Sequence, residues 1–210
     1  MMVIDSRNTG NIIFDFGGVL VDLDKQRCVD AFTAIMARPV SVYVDECRQE
    51  DLFHDLELGT IDVGEFCREV RRRAPGCTAS DAAICDAWNA LLTGIPPRRI
   101  ARLVQLRRRH RLFLLSNTNI IHWERAVRDF FPYHGMNVND YFERIFLSYE
   151  MHKVKPSTEI FAQVIAESGI DPADTLFVDD SEANCRGAET MGISTLHVTG
   201  GDEWLGILKD

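Results

Sequence analysis

The sequence lacks long apolar runs and recognisable cysteine patterns. It contains no stretch of 18 consecutive apolar residues, and no basic region followed by a long apolar run stands near its start. These absences argue against a membrane span and a secretory leader. The six cysteines form no Cys-x-x-Cys pair, and no histidine spacing completes a zinc pattern. We therefore expect a cytoplasmic protein with reduced thiols and no membrane partner.

Positive charge is also scarce in this chain. The chain has 23 Lys and Arg residues and 32 Asp and Glu residues, which gives a formal net charge of -9. This balance argues against a nucleic-acid partner. Seven arginines lie in the predicted helix from Arg98 to Arg111, and we interpret them as a solvated helix face. The sequence carries no signal for the oligomeric state.

Short apolar runs recur along most of the chain and predict buried strands. The runs lie at Ile12–Phe14, Leu112–Leu115, Ile145–Leu147, Thr175–Val178 and Ser194–Val198. Helical patterns fall between them, for example from Thr158 to Ser168. This alternation predicts an α/β fold built on a doubly wound parallel sheet. A further run, Val19–Val21, is interpreted as a small flap over the site.

One segment interrupts this alternation directly after the first strand. Between residues 24 and 93 helical spacing dominates, with predicted helices at 45–56, from Asp62 to Arg73 and from Ser80 through Leu92. Asp62 followed by Glu65 is typical of a capping box at a helix start. The sequence therefore predicts a helical cap at residues 24–93, inserted into an α/β core formed by residues 1–23 and 94–210.

Polar side chains follow three of the predicted strands. Asp15 follows the first strand, Ser116 and Asn117 the second, and Asp179 with Asp180 the fourth, while Lys155 lies in another loop. Because parallel strands end at one edge of a sheet, these groups can converge there. Acidic groups repel one another, and a hard cation such as Mg²⁺ is the simplest reason to bring them together. Asp15 can then be either a metal ligand or a covalent nucleophile.

Four motifs in order resemble the haloacid dehalogenase-like (HAD) hydrolase superfamily. They read FDFGGVL at residues 14–20, LSNTN at 115–119, KP at 155–156 and FVDDSEAN at 177–184. The resemblance covers nearly the whole chain. It implies a Rossmann-like core with an inserted cap of the C1 type. The residues of the second and fourth motifs most resemble those of the subgroup that contains bacterial α-D-glucose-1-phosphate phosphatases.

The resemblance also implies roles for individual residues. Asp15 would be the nucleophile, with Lys155 as its catalytic partner and Lys153 as a rival for that role. The implied phosphate-binding residues are Ser116, Asn117 and Lys155. The implied metal ligands are Asp15, the backbone carbonyl of Gly17, Asp180 and, at a neighbouring or water-mediated position, Asp179.

Gly17 departs from the family pattern. The family commonly has a second Asp two residues after the nucleophile, where it protonates the leaving oxygen and later activates water. Glycine can do neither, and the candidates for a substitute are Asp22, Asp24, His54 and Glu57.

The resulting hypothesis is a Mg²⁺-dependent phosphatase that hydrolyses a small phosphorylated metabolite, such as a sugar phosphate, through an aspartyl-phosphate intermediate. Because of Gly17, two alternatives stay open: a phosphotransferase or phosphomutase, and a non-catalytic sugar-phosphate-binding protein. Dehalogenation is disfavoured, because that chemistry does not need the metal that Asp179 and Asp180 indicate.

Overall fold

The fold is organised around a five-stranded parallel sheet. The structure is a computed structural model that describes residues 9–38, 40 and 52–208. Its strands are β1 (Asn11–Phe14), β2 (Asp22–Leu23), β3 (Leu92–Gly94), β4 (Arg111–Ser116), β5 (Arg144–Leu147), β6 (Thr175–Asp179) and β7 (Ser194–His197). The large sheet has the order β5-β4-β1-β6-β7, and all its neighbouring strands are parallel. The predicted parallel sheet is confirmed.

Both faces of this sheet are covered, which explains why its central strand reads as a continuous apolar run. Ile12 and Phe14 pack into one hydrophobic cluster, whereas Ile13 between them packs into the cluster on the opposite face. All three side chains are fully buried. Since successive side chains of a strand point to opposite faces, three apolar residues in a row require helices on both sides.

The helices of the described chain fall into two groups. Those between β2 and β3 are α1 (Lys25–Ala34), α2 (Leu52–Glu57), α3 (Val63–Arg73) and α4 (Asp81–Asn89). Those after β3 are α5 (Pro97–Leu106), α6 (Ile120–Asp129), α7 (Val138–Tyr141), α8 (Ser148–Met151), α9 (Thr158–Ser168), α10 (Glu182–Glu189) and α11 (Glu203–Ile207). None of these helices is long and apolar enough to cross a membrane.

The helices α1 to α4 share a hydrophobic cluster of their own. Phe53 is its centre and contacts the rings of Phe32, Phe66 and Trp88. The predicted capping box is present at the start of α3, where Asp62 and Glu65 satisfy each other's backbone N–H groups. The division into a core and a cap at residues 24–93 stays a prediction, and the part of the predicted 45–56 helix before Leu52 lies outside the described residues.

Two predictions about local structure, the flap at Val19–Val21 and the end of the helix after Ser80, are wrong. Val19–Val21 is not a flap, since its side chains are fully buried and the backbone N–H groups of Leu20 and Val21 donate back to Phe16. The helix that begins after Ser80 ends at Asn89, because Leu92 enters β3, which pairs with β2 in an antiparallel two-stranded sheet.

The predicted basic helix is also shorter and less exposed than expected. It ends at Leu106, and Arg111 already opens β4. Arg99 is only 3% exposed, which contradicts a purely solvated face. Its guanidinium contacts the carbonyl of Leu20 and the carboxylates of Asp22 and Asp202, so it joins the start of α5 to the segment after the first motif.

Candidate active site

The turn after β1 places Asp15 at the carboxyl edge of the sheet. The Asp15 backbone N–H donates to the carbonyl of Val178 on the neighbouring strand, at 2.9 Å, and the residue is 6% exposed. Gly18 then adopts φ +73°, and a Cβ at this position would lie 2.2 Å from Oδ2 of Asp180. The turn therefore requires glycine at position 18, and this close approach brings Asp180 against the loop that carries Asp15.

Lys155 is the cation at the centre of this edge. Its Nζ lies 2.7 Å from Oδ1 of Asp15, 2.7 Å from Oδ2 of Asp179 and 3.1 Å from the carbonyl oxygen of Leu115. These contacts use all three N–H donors of the ammonium group. The two carboxylates raise the pKa of Lys155, in opposition to its burial, and keep it charged. Its rival Lys153 instead donates to Gln163.

Asn117 fixes the backbone that carries this lysine. Its Nδ2 donates to the Lys155 carbonyl at 2.9 Å, and its Oδ1 accepts from the Lys155 backbone N–H at 2.8 Å. The side chain thus forms a reciprocal bridge between the loop after β4 and the loop before α9. Ser116, the last residue of β4, is buried beside it.

Asp179 is fully buried and its carboxylate is fixed by several donors. Oδ1 accepts from the backbone N–H of Ser181 at 2.7 Å and from Nδ2 of Asn184 at 3.0 Å, and Oδ2 accepts from Lys155. Burial without these donors would be costly for an ionised carboxylate. Asp180, which follows it, is more exposed and faces the turn at Gly18.

The three carboxylates of this edge form a donor set that suits a hard cation. One ligand oxygen from each of Asp15, Asp179 and Asp180 lies within 4.8 Å of the other two. The pKa of Asp15 is raised to about 7, chiefly by burial and also by the nearby carboxylates of Asp179 and Asp180, while the charge of Lys155 opposes the increase. The pKa of Asp180 is also raised by burial and by Asp179. One lysine therefore does not neutralise the cluster, and a divalent cation with oxygen ligands fits the remaining negative charge.

The end of α2 contacts the segment after β5, beside the motif that carries the predicted phosphate-binding residues Ser116 and Asn117. The buried Ser148 hydroxyl accepts from the Thr118 backbone N–H at 3.0 Å, and its proton can be donated to the carbonyl of Thr118 or to that of Glu57, at 3.0 Å and 2.6 Å. The carbonyl of Leu58 lies 3.0 Å from Nδ1 of His152. We call these contacts the Ser148 latch. Sequence reasoning did not find Ser148, although it follows β5 directly.

The four candidates for the acid that position 17 lacks have different surroundings in the structure. Asp22 forms an ion pair with buried Arg99 at 2.7 Å. Asp24 caps α1 by accepting from the backbone N–H of Arg27 at 3.0 Å. His54 and Glu57 lie on α2, and the backbone carbonyl of Glu57 is part of the Ser148 latch. Asp22 and Asp24 are thus held by structural contacts.

Sequence comparison finds relatives along almost the whole chain. A family model of the haloacid dehalogenase-like hydrolases matches residues 10–192. A curated relative, the D-ribitol-5-phosphate phosphatase of Bacteroides thetaiotaomicron, is 32% identical over 194 residues, which cover 92% of this chain and 94% of the relative.

Comparison with solved structures also finds proteins of this family. A HAD family enzyme of Bacteroides thetaiotaomicron, in complex with magnesium and inorganic phosphate, is similar at a TM-score of 0.91 and 39% identity, and the match covers 96% of this chain and 100% of that one. A HAD-like family hydrolase from Porphyromonas gingivalis is similar at a TM-score of 0.87 and 34% identity, with 95% of each chain covered.

Proposed function

This chain belongs to the haloacid dehalogenase-like hydrolase family, and from that premise we propose that it is a Mg²⁺-dependent phosphatase of a small phosphorylated metabolite. The observation that carries the proposal is the buried Lys155, held at 2.7 Å from both Asp15 and Asp179 with Asp180 beside them. A sugar or sugar-alcohol phosphate is the substrate class we favour, since the similar Bacteroides enzyme is named for ribitol 5-phosphate.

In the proposed reaction Asp15 is the nucleophile. Its carboxylate attacks phosphorus, the bond between phosphorus and the leaving oxygen breaks, and an aspartyl-phosphate forms. Water then attacks phosphorus, breaks the bond to Asp15 and releases inorganic phosphate. Lys155 holds the attacking carboxylate in place and contributes positive charge near the transferring group.

We assign the other residues of the edge to binding and positioning. Ser116 binds the phosphoryl group by a hydrogen bond and Lys155 binds it through its charge, and Asn117 supports that site by fixing the Lys155 backbone. The proposed metal ligands are Asp15, the Gly17 carbonyl and Asp180, with Asp179 at a neighbouring or water-mediated position. Mg²⁺ bound there would offset the negative charge that develops on the transferring phosphoryl group.

The proposal is tested by phosphate release from a panel of sugar and sugar-alcohol phosphates, ribitol 5-phosphate included. We expect release with Mg²⁺ and none with excess EDTA. The Asp15→Asn variant should lose turnover and keep its fold, since the amide occupies the same volume. Retained activity in Asp15→Asn would remove Asp15 from the nucleophile role.

Phosphoryl transfer is a second candidate, and Gly17 is the observation that favours it. Without a general base near Asp15, water would attack the intermediate slowly, and a sugar hydroxyl could compete. Adding a sugar acceptor should then raise the consumption of the phosphate donor. Tight binding of a sugar phosphate without any release over a long incubation would instead favour the non-catalytic alternative.

A further inference from the structure

Two cysteines on neighbouring helices of the 24–93 segment bring their thiols together. Cys67 lies on α3 and Cys85 on α4, and these two helices pack against each other. The Sγ atom of Cys67 lies 3.8 Å from the carbonyl oxygen of Asp81, the first residue of α4. Cys85 is four residues further along, on the same face of α4, and helical side chains lean toward the start of their helix. The Cys85 side chain is therefore directed back toward the Cys67 sulfur, and the two thiols are hydrogen-bonded to each other.

Two other described cysteines have different surroundings. The Sγ atom of Cys28 lies 3.5 Å from the carbonyl oxygen of Ala87, and that of Cys185 lies 3.9 Å from the carbonyl oxygen of Asp179. Burial raises the pKa of these thiols, to about 12 for Cys28 and about 11 for Cys185. Both therefore stay protonated and inert, as packing residues do.

The two thiols of the pair differ in exposure and in acidity. Cys67 is fully buried, whereas Cys85 is half-buried. The hydrogen bond between them lowers the pKa of the Cys85 thiol and raises that of Cys67. The carboxylates of Asp81 and Asp86 oppose the effect on Cys85, and an ion pair between Arg71 and Asp81 offsets part of their charge. Thiolate character combined with access to solvent makes a cysteine reactive toward oxidants.

We propose that Cys67 and Cys85 are a redox-active pair, which a peroxide converts into a disulfide that ties α3 to α4. In the first step the Cys85 thiolate attacks the peroxide. A bond between sulfur and oxygen forms, the bond between the two peroxide oxygens breaks, and the departing hydroxide takes up a proton to give water.

In the second step the sulfur of Cys67 attacks Sγ of Cys85. The disulfide bond forms, the bond between sulfur and oxygen breaks, and the hydroxide leaves as water with the proton that Cys67 loses. Two thiols are thus oxidised while one peroxide is reduced to two water molecules. A thiol reductant reverses the change. The proposed phosphatase reaction takes no part in this chemistry, so either proposal can fail without the other.

The disulfide would staple the helices on both sides of the turn between α3 and α4. Closing a loop of this length restricts the unfolded chain, and we expect the midpoint of thermal unfolding to rise by about 5–10 °C. Disulfides are rare in reducing compartments, and those that occur there are usually transient or redox-sensing. A pair that is held as free thiols until an oxidant arrives fits that pattern.

Peptide mapping of the full-length protein tests the proposal. The protein is treated with hydrogen peroxide, its remaining thiols are alkylated, and it is digested with trypsin and endoproteinase Asp-N. This digestion separates Cys67, in peptide 62–68, from Cys85, in peptide 81–85, and from Cys77 between them. We expect one disulfide, which joins these two peptides and disappears with dithiothreitol, together with the rise in the unfolding midpoint.

Single variants test the order of the two steps. In Cys67→Ser, Cys85 should stop at the sulfenic acid, which dimedone traps, because no second thiol displaces its oxygen. In Cys85→Ser, Cys67 should remain a thiol, because it is buried. Cys77→Ser is the control from the same segment and should form the disulfide as the wild-type protein does.

The result in the wild-type protein decides the proposal even if a variant fails to fold. Peroxide that leaves both residues as thiols, or that joins either of them to another cysteine such as Cys47, overturns it. Formation of the bond without a change in the unfolding midpoint overturns the staple. Oxidation of Cys67 in Cys85→Ser, with no sulfenic acid on Cys85 in Cys67→Ser, overturns the assigned order of attack.

Discussion

Replacing Lys155 with methionine removes the one cation of the buried cluster while nearly preserving the side-chain volume. Asp15 and Asp179 each lie 2.7 Å from its Nζ, and their side chains are almost completely buried. Breaking a buried ion pair by removing one partner costs about 3–5 kcal/mol, because the remaining charge stays buried without compensation. We expect a loss of this size from the free energy of unfolding of the metal-free protein at pH 8.

The loss should depend on pH in a defined direction. Burial raises the pKa of Asp15 from 3.8 to about 7, so this group contributes stability that is present below pH 3.8 and is lost as the pH rises through about 7. Removing Lys155 removes the interaction that opposes this increase. At pH 5 Asp15 is largely protonated in both proteins, so the variant should lose less stability there than at pH 8.

Urea unfolding in EDTA, followed by tryptophan fluorescence at pH 5 and pH 8, measures both effects. Lys153→Met is the matched control, since the Lys153 ammonium donates to the neutral Gln163 and forms no ion pair with any described residue, and we expect it to cost about 0.5 kcal/mol or less. Lys155→Met should also reduce kcat with Mg²⁺ by about 10²–10³-fold. Equal losses for the two variants, or a Lys155→Met loss that does not grow with pH, would refute the reasoning.

Two further predictions concern contacts around the site. Ser148→Ala leaves the buried Thr118 N–H without its acceptor and should lower the free energy of unfolding by about 1–3 kcal/mol. Because the substitution also removes the hydrogen bond to the Glu57 carbonyl, it should raise KM. The volume-matched Ser148→Cys should raise KM by a smaller factor. His122 is buried and neutral, and burial lowers its pKa to about 4, so its contribution is present above pH 6.5 and is lost as the pH falls toward 4. Unfolding at pH 7 and pH 5 should show this loss in the wild-type protein and a smaller one in His122→Gln; equal pH dependence would contradict the assignment.

The strand pattern was readable because each central strand is buried on both faces. Ile12, Ile13 and Phe14 are apolar in succession, and this local signal is enough to predict a parallel sheet. The pairing of β2 with β3 was missed because these strands have two and three residues and lie far apart in the chain. No local pattern distinguishes so short a strand from a loop.

The candidate site was predictable as far as strand ends and motif order allow. The end of a parallel strand placed Asp15 and Asp179 at one edge, and the structure agrees with that expectation. The burial of Arg99 and the hydroxyl bridge of Ser148 could not be predicted, because both depend on partners distant in sequence, Asp202 and Glu57. Such contacts arise only when the chain is folded.

The most direct test of the central claim is to look for phosphate attached to Asp15. Wild-type protein is mixed with Mg²⁺ and dinitrophenyl phosphate, quenched in acid within the first turnover, digested and analysed by mass spectrometry, with Asp15→Asn treated in the same way. The account predicts one phosphoryl group on the peptide that carries Asp15 and none on the corresponding peptide of the variant. Release of phosphate without any phosphorylated peptide, or a phosphoryl group that persists in Asp15→Asn, would contradict it.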